Sequence, residues 1–257
     1  MNTNNCIYFI LLLCLSVHSK TKDKFLDVQE KLNNNNSYIK HDKRIRNGQN
    51  IDITAANYYV YVICHQSHCG GTLVKQNKVV TAGHCVDSCT SSQFQIAVGL
   101  NDLSQLSQAK KYRANSIRLH PRYNKQHPFP YDVAVITLSQ NVALNDKVGT
   151  INYVREIPPL LRTLTVVGYG FINTKGQQPR KLQRGQVRIV KKDRTQLFTQ
   201  ALIGSSVLPG DSGGPAIYNN QLAGIISGTR SLNNIIFQNL FVAVGHPDIY
   251  DFIRDNM

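Results

Sequence analysis

No tryptophan occurs in this chain, so no indole can line a core or a pocket, and no cysteine follows Cys89. Long apolar runs are missing as well: residues 6–15 form one that is too short to span a bilayer, and no other stretch could cross a membrane as a helix. Extended helical periodicity is absent between the apolar segments, which argues against a parallel α/β sheet. Acidic residues are scarce, 15 against 29 Lys and Arg, for a net charge of +14. Such a surplus favours acidic surfaces, glycans or nucleic acid as partners and says nothing about the fold. What remains is an ordinary globular composition, 42% apolar over 257 residues, enough for one large all-β domain or two smaller ones.

The short apolar run is followed by Val17-His18-Ser19 and reads as a secretory signal peptide covering residues 1–19. No Lys or Arg precedes it, which leaves an uncleaved anchor as an alternative. Residues 20–44 are polar and aperiodic, contain the glycosylation pattern Asn35-Asn36-Ser37, and read as a flexible leader. The leader ends on Lys43-Arg44, a natural cleavage point ahead of Ile45. Once Cys6 and Cys14 leave with the signal, Cys64, Cys69, Cys85 and Cys89 remain as an even set in an oxidising compartment. A zinc site built from these cysteines and His65, His68 and His84 is the competing reading.

Beyond Ile45, short apolar runs at 58–63, 79–80, 94–98, 133–138, 164–167, 187–190, 222–226 and 240–244 alternate with turn residues. Many short strands at this spacing imply a sandwich or a barrel. Only residues 247–257 place Ile249, Tyr250, Phe252 and Ile253 at near-helical spacing behind Pro247, predicting one terminal helix.

Three segments carry residues suited to acyl transfer. Thr81-Ala82-Gly83-His84-Cys85 ends an apolar strand on a histidine, Asp132-Val133-Ala134 opens another on an acid, and Gly210-Asp211-Ser212-Gly213-Gly214-Pro215 sets a serine among glycines. Taken singly, each is also an ordinary turn, cap or surface residue. Taken together, Ser212 supplies a nucleophile, His84 the base that removes its proton, and Asp132 the group that orients the base. The amides of Gly210 and Ser212 can face a developing oxyanion, because glycine permits close approach.

With Cys69-Gly70-Gly71-Thr72-Leu73 added, these motifs resemble the trypsin/chymotrypsin-type serine proteases, in that family's order of His, Asp and Ser, over residues 45–257. The resemblance implies an all-β fold of two antiparallel β-barrels with the catalytic residues in the cleft between them and a C-terminal α-helix. It implies a secreted endopeptidase that acts as a monomer on protein or peptide substrates, without cofactor or metal. It further implies a zymogen, cut after Arg44 by an activating protease so that the α-amine of Ile45 pairs with Asp211. The family usually continues Ile-Val-Gly-Gly, whereas this chain reads Ile45-Arg46-Asn47-Gly48, and cleavage after Arg46 is the alternative. By the same resemblance Cys69 pairs with Cys85; Cys64 and Cys89 flank that pair and are expected to form a second bridge. The second barrel is left without cysteine.

The pocket position that holds a carboxylate in trypsins falls on Ser206, so a preference for Lys or Arg is not expected. The pocket wall falls on Ser227-Gly228-Thr229, and a further wall position on Asn239. Thr229 and Asn239 would narrow the pocket while Gly228 opens one side, pointing to a small or medium uncharged side chain. The densest basic stretch lies at 180–194, with Arg180, Lys181, Arg184, Arg188, Lys191, Lys192 and Arg194 against Asp193. It is either a solvated strand and loop or a site for a polyanion or acidic partner. A protease-like binding protein that has lost activity is the rival to the enzyme.

Overall fold

The computed structural model describes residues 48–126, 129–173, 176–202, 206–232 and 235–257. The signal, the leader with its Asn35 acceptor, the Arg44-Ile45 junction and Arg46 all lie outside them.

Strands β2 (Tyr59–Cys64), β3 (Ser67–Lys75), β4 (Lys78–Thr81), β5 (Phe94–Val98), β6 (Lys111–Leu119) and β7 (Ala134–Leu138) close into an antiparallel barrel in the order β2-β3-β4-β7-β6-β5. Strand periodicity explains why β2 reads as an unbroken apolar run. Val60, Val62 and Cys64 face the barrel interior with Leu73, Phe94, Ile96 and Ile136, while Tyr59 and Tyr61 face away into a separate cluster with Tyr169 and Leu182. Cys64–Cys89 and Cys69–Cys85 are both disulfides of this barrel, closing separations of 25 and 16 residues. In the loop-entropy description each contributes about 3 kcal/mol.

The second barrel comprises β8 (Thr163–Gly168), β9 (Gln183–Asp193), β10 (Gln196–Ala201), β11 (Pro215–Tyr218), β12 (Gln221–Leu232) and β13 (Ile235–Ala243). Its order is β9-β10-β13-β12-β11-β8, closed by β8 on β9, with β1 (Gln49–Asn50) added outside β9. Asn219 and Asn220, both at positive φ, make the tight turn between β11 and β12, where a two-residue hairpin needs that conformation. Helix α1 (Pro247–Asp255) begins on a proline and buries Ile249 and Ile253. Two antiparallel barrels and a terminal helix agree with the expected fold.

The largest apolar cluster spans both halves. Val80 of β4 with Ala82 just beyond it, and Val135 of β7 with Val133 just before it, pack with Leu164, Val166, Ile225 and Val242 of the second barrel and with Ile249 and Ile253 of α1. The chain ends that carry His84 and Asp132 are therefore seated where the two barrels meet.

Candidate active site

His84 lies in a short 3-10 turn, Gly83–Cys85, directly after β4. Asp132 immediately precedes Val133 and β7, and is fully buried. The antiparallel pairing of β4 with β7 sets Thr81 opposite Ala134, so the two residues emerge side by side. One Asp132 oxygen accepts the His84 backbone N–H at 2.8 Å, and the other lies 2.8 Å from His84 Nδ1. A carboxylate can only accept, so Nδ1 carries the proton and Nε2 is left as a free base. The Ser227 hydroxyl donates to the same Oδ2 at 2.6 Å. Burial alone would depress the His84 pKa, but the hydrogen bond and charge of Asp132, with Asp87 further off, hold it above its ordinary value.

Ser212 reaches this pair through backbone. Its carbonyl accepts from Gly70 N–H of β3 at 2.7 Å, and Gly213 N–H donates to Ile226 of β12 at 2.7 Å. Gly213 sits at φ +76, where any Cβ would collide with Thr81 Oγ1 and the Gly70 carbonyl, so only glycine lets the serine loop lie against the segment leading to His84. The Cys69–Cys85 bridge joins the residue before Gly70 to the residue after His84, tying both supports together. Among the described residues no direct hydrogen bond joins Ser212 to His84, and neither the Gly210 nor the Ser212 amide is engaged.

Asp211 is fully buried and accepts from Gly170 N–H at 2.8 Å and Leu208 N–H at 3.0 Å. Burial pushes its carboxyl up to about 7, against the two backbone donors. Ser206 and Asn239, expected from sequence to line the pocket, belong to one polar network. Ser206 Oγ donates to Asn239 Oδ1 at 2.8 Å, Val207 N–H reaches the same oxygen at 3.3 Å, and Asn239 Nδ2 donates to Thr199 Oγ1 at 3.2 Å. Asn239 is buried and pairs across the sheet with Thr229, whereas a Cβ built on Gly228 would meet nothing within 4 Å.

A family model described as trypsin matches residues 45–245. The chain belongs to the trypsin family of serine proteases. As a member it is a peptide-bond hydrolase with serine-protease chemistry. It is 33% identical over 204 residues to a vitellin-degrading protease of Bombyx mori, covering 72% of this chain and 76% of that one. A trypsin of Sarcophaga bullata is 31% identical over 235 residues, covering 83% and 89%. Chymotrypsin-like elastase family member 1 of Bos taurus is 32% identical over 188 residues, covering 64% and 69%. Mouse neuropsin shares the fold, with a TM-score of 0.72 at 20% identity over 82% of this chain and 98% of the other.

In this trypsin-family chain the three motif residues meet in one region, and Ser227, read from sequence as pocket wall, directs its hydroxyl at Asp132. Three neighbours were not read from the sequence as parts of this site. The Phe129 ring stacks on His84 at 5.5 Å, and Tyr131 precedes Asp132 at φ +56. His68 lies beside Gly210, stacked on Tyr61 at 5.2 Å and within 2.7 Å of the Gln178 amide. Of the basic stretch, Arg180 is bridged to Asp102 at 3.0 Å and Lys191 to Asp193 at 3.2 Å, and Arg184 bonds to Gln49. Arg188 has no carboxylate partner among the described residues and pairs across the sheet with Thr163, the residue after exposed Arg162.

Proposed function

We propose that this protein is a secreted endopeptidase in which Ser212, His84 and Asp132 perform acyl transfer. The observation that carries the reading is the pair of hydrogen bonds that Asp132 accepts from His84, which leaves Nε2 basic. His84 Nε2 takes the Ser212 proton as Oγ attacks the substrate carbonyl carbon, and the carbonyl electrons move onto oxygen. The amides of Gly210 and Ser212 receive that oxyanion. Collapse expels the amine, which takes the proton from His84, and water repeats the sequence to release the acid.

Synthesis as a zymogen follows from the Arg44-Ile45 junction and the buried Asp211. Cleavage by an activating protease frees the Ile45 amine, which neutralises Asp211 and thereby orders the Gly210–Ser212 backbone. The signal at 1–19 and leader at 20–44 make the product extracellular. Asn239, held between Ser206 and Thr199, offers an uncharged, shortened pocket and supports small or medium uncharged side chains at the bond to be cut. The outward Arg184 and Arg188, with Arg162 beside them, suit a sulfated or otherwise polyanionic partner.

The test is to cut the full chain after Arg44, verify Ile45 as the new N-terminus and add a fluorophosphonate probe. Labelling of Ser212 is expected, and a folded, correctly cut protein that stays unlabelled is instead the inactive binding protein. Peptide-library cleavage dominated by Lys or Arg would remove the pocket assignment. Heparin retention unchanged by reversing Arg184 and Arg188 would remove the polyanion partner.

A further inference from the structure

Asp132 occupies the centre of a γ-turn, since Val133 N–H donates to the Tyr131 carbonyl at 2.7 Å. The direction of the Asp132 side chain thus depends on the backbone of Tyr131. That residue adopts φ +56, a left-handed conformation unfavourable for a bulky L-residue and maintained only where surroundings enforce it.

The enforcing contacts all run through the Tyr131 side chain. Its ring stacks on His120, with centroids 4.7 Å apart and planes 18° apart, and the Arg122 guanidinium carbon lies 4.1 Å from the ring centroid. Its hydroxyl donates to Asp248 Oδ2 at 3.2 Å, and Arg122 Nη1 donates to the same oxygen at 2.7 Å. Buried His120 packs on Phe252 at 4.7 Å. Asp248 and Phe252 are four residues apart in α1 and share one helix face, with Asp248 in the first turn, where a negative charge suits the helix dipole.

We infer that Tyr131 is a positioning residue, through which the C-terminal helix holds the Asp132 carboxylate in line with His84. The inference rests on the role proposed for Asp132 above. Tyr131 touches no reacting atom. If its side chain lets go, φ can relax to negative values, the peptide between Tyr131 and Asp132 rotates, and the short bonds to His84 and Ser227 lose their alignment.

Three variants of the processed full chain separate this role from mere packing. Tyr131→Gly relieves the backbone strain but deletes the tether, Tyr131→Phe keeps the stacking, and Tyr131→Phe with Asp248→Asn removes both polar links while leaving the rings. The readouts are kcat and KM on a peptide substrate, and the low-field proton resonance of His84 Nδ1 with its rate of exchange with water. Tyr131→Gly is expected to lower kcat about 10- to 100-fold with KM changed less than about twofold, and to speed proton exchange about tenfold. Tyr131→Phe should stay within about threefold of wild type, and the double variant should fall between them. A folded Tyr131→Gly with unchanged kcat and proton exchange overturns the inference. Should Tyr131→Gly fail to fold, an unchanged double variant does the same. If wild type leaves the fluorophosphonate unreacted while the His84 proton is still lost in Tyr131→Gly, the catalytic assignment falls and the positioning role stands.

Discussion

The two barrels hold their share of the site by different physics. The first carries His84 and Asp132, and both disulfides lie within it. Its acid is fully buried and bonded on both oxygens. The second carries Ser212, the proposed pocket residues and Asp211, contains no cysteine, and positions the Ser212 segment by backbone hydrogen bonds to Gly70 and Ile226. Asp211 is the buried group without a cation among the described residues, and burial raises its carboxyl to about 7. The proposed base and acid are thus built into a cross-linked frame, whereas the loop of the proposed nucleophile is poised on a carboxylate whose charge state can change. Adjustability is placed in the half that the proposed cleavage would order.

Replacing Asp132 should break the stapled half most severely. Asp132→Asn retains the shape but leaves His84 in the wrong tautomer, and kcat is expected to fall about 10⁴-fold. The same change removes the charge that raises the His84 pKa, so the acid limb of kcat/KM should move to lower pH. An unshifted limb in a pH-rate profile would show that Asp132 does not govern the base.

Next in size is the loss of the Cys69–Cys85 bridge. The double serine variant should lose about 3 kcal/mol in denaturant unfolding and weaken the link between the Gly70 and His84 supports. A loss of stability with full activity would mean that the first barrel needs no staple to aim its base.

Asn239→Gly probes the uncrosslinked half. Opening the space held between Ser206 and Thr199 should raise kcat/KM for large uncharged side chains relative to small ones by about tenfold, read from paired peptide substrates. An unchanged ratio would separate Asn239 from specificity.

The last probe of the uncrosslinked half is a pH slope. In the unprocessed chain the folded Asp211 pKa of about 7 exceeds the unfolded value near 3.9, so the native state binds the extra proton between them. Stability should therefore decline as pH rises from about 4 to about 7, and Asp211→Asn should flatten that decline in urea melts. An identical slope in both proteins would place the charge-sensitive group elsewhere.

Strands were legible where both faces are covered by apolar neighbours. The predicted 94–98 run coincides with β5, and 58–63, 133–138 and 164–167 fall within one residue of β2, β7 and β8 at each end. Strand β6 escaped because Lys111, Arg113, Asn115 and Arg118 interrupt its apolar positions, and β3 because Gly70 and Gly71 lower its strand propensity. Only the centre of β9 was visible, since Gln, Arg and Gly precede it and Lys191, Lys192 and Asp193 follow it. Similarly, His84, Asp132 and Ser212 sit in short motifs with local chemistry, whereas Phe129 and Tyr131 sit in none and His68 entered only the zinc reading. Tyr131 depends on Asp248, 117 residues away, and the contact of His68 with Gln178 spans 110.

By itself the sequence determined the class of fold, the kind of chemistry and the residues able to perform it, because strand patterning and the types of nucleophile, base and acid are local properties. Tertiary structure alone decided that Ser227 bonds to Asp132, that Asn239 is held between Ser206 and Thr199, and that the terminal helix grips the residue beside Asp132. Those outcomes depend on barrel closure and on which side chains from distant strands share a buried space, and no spacing along the chain encodes such a meeting directly.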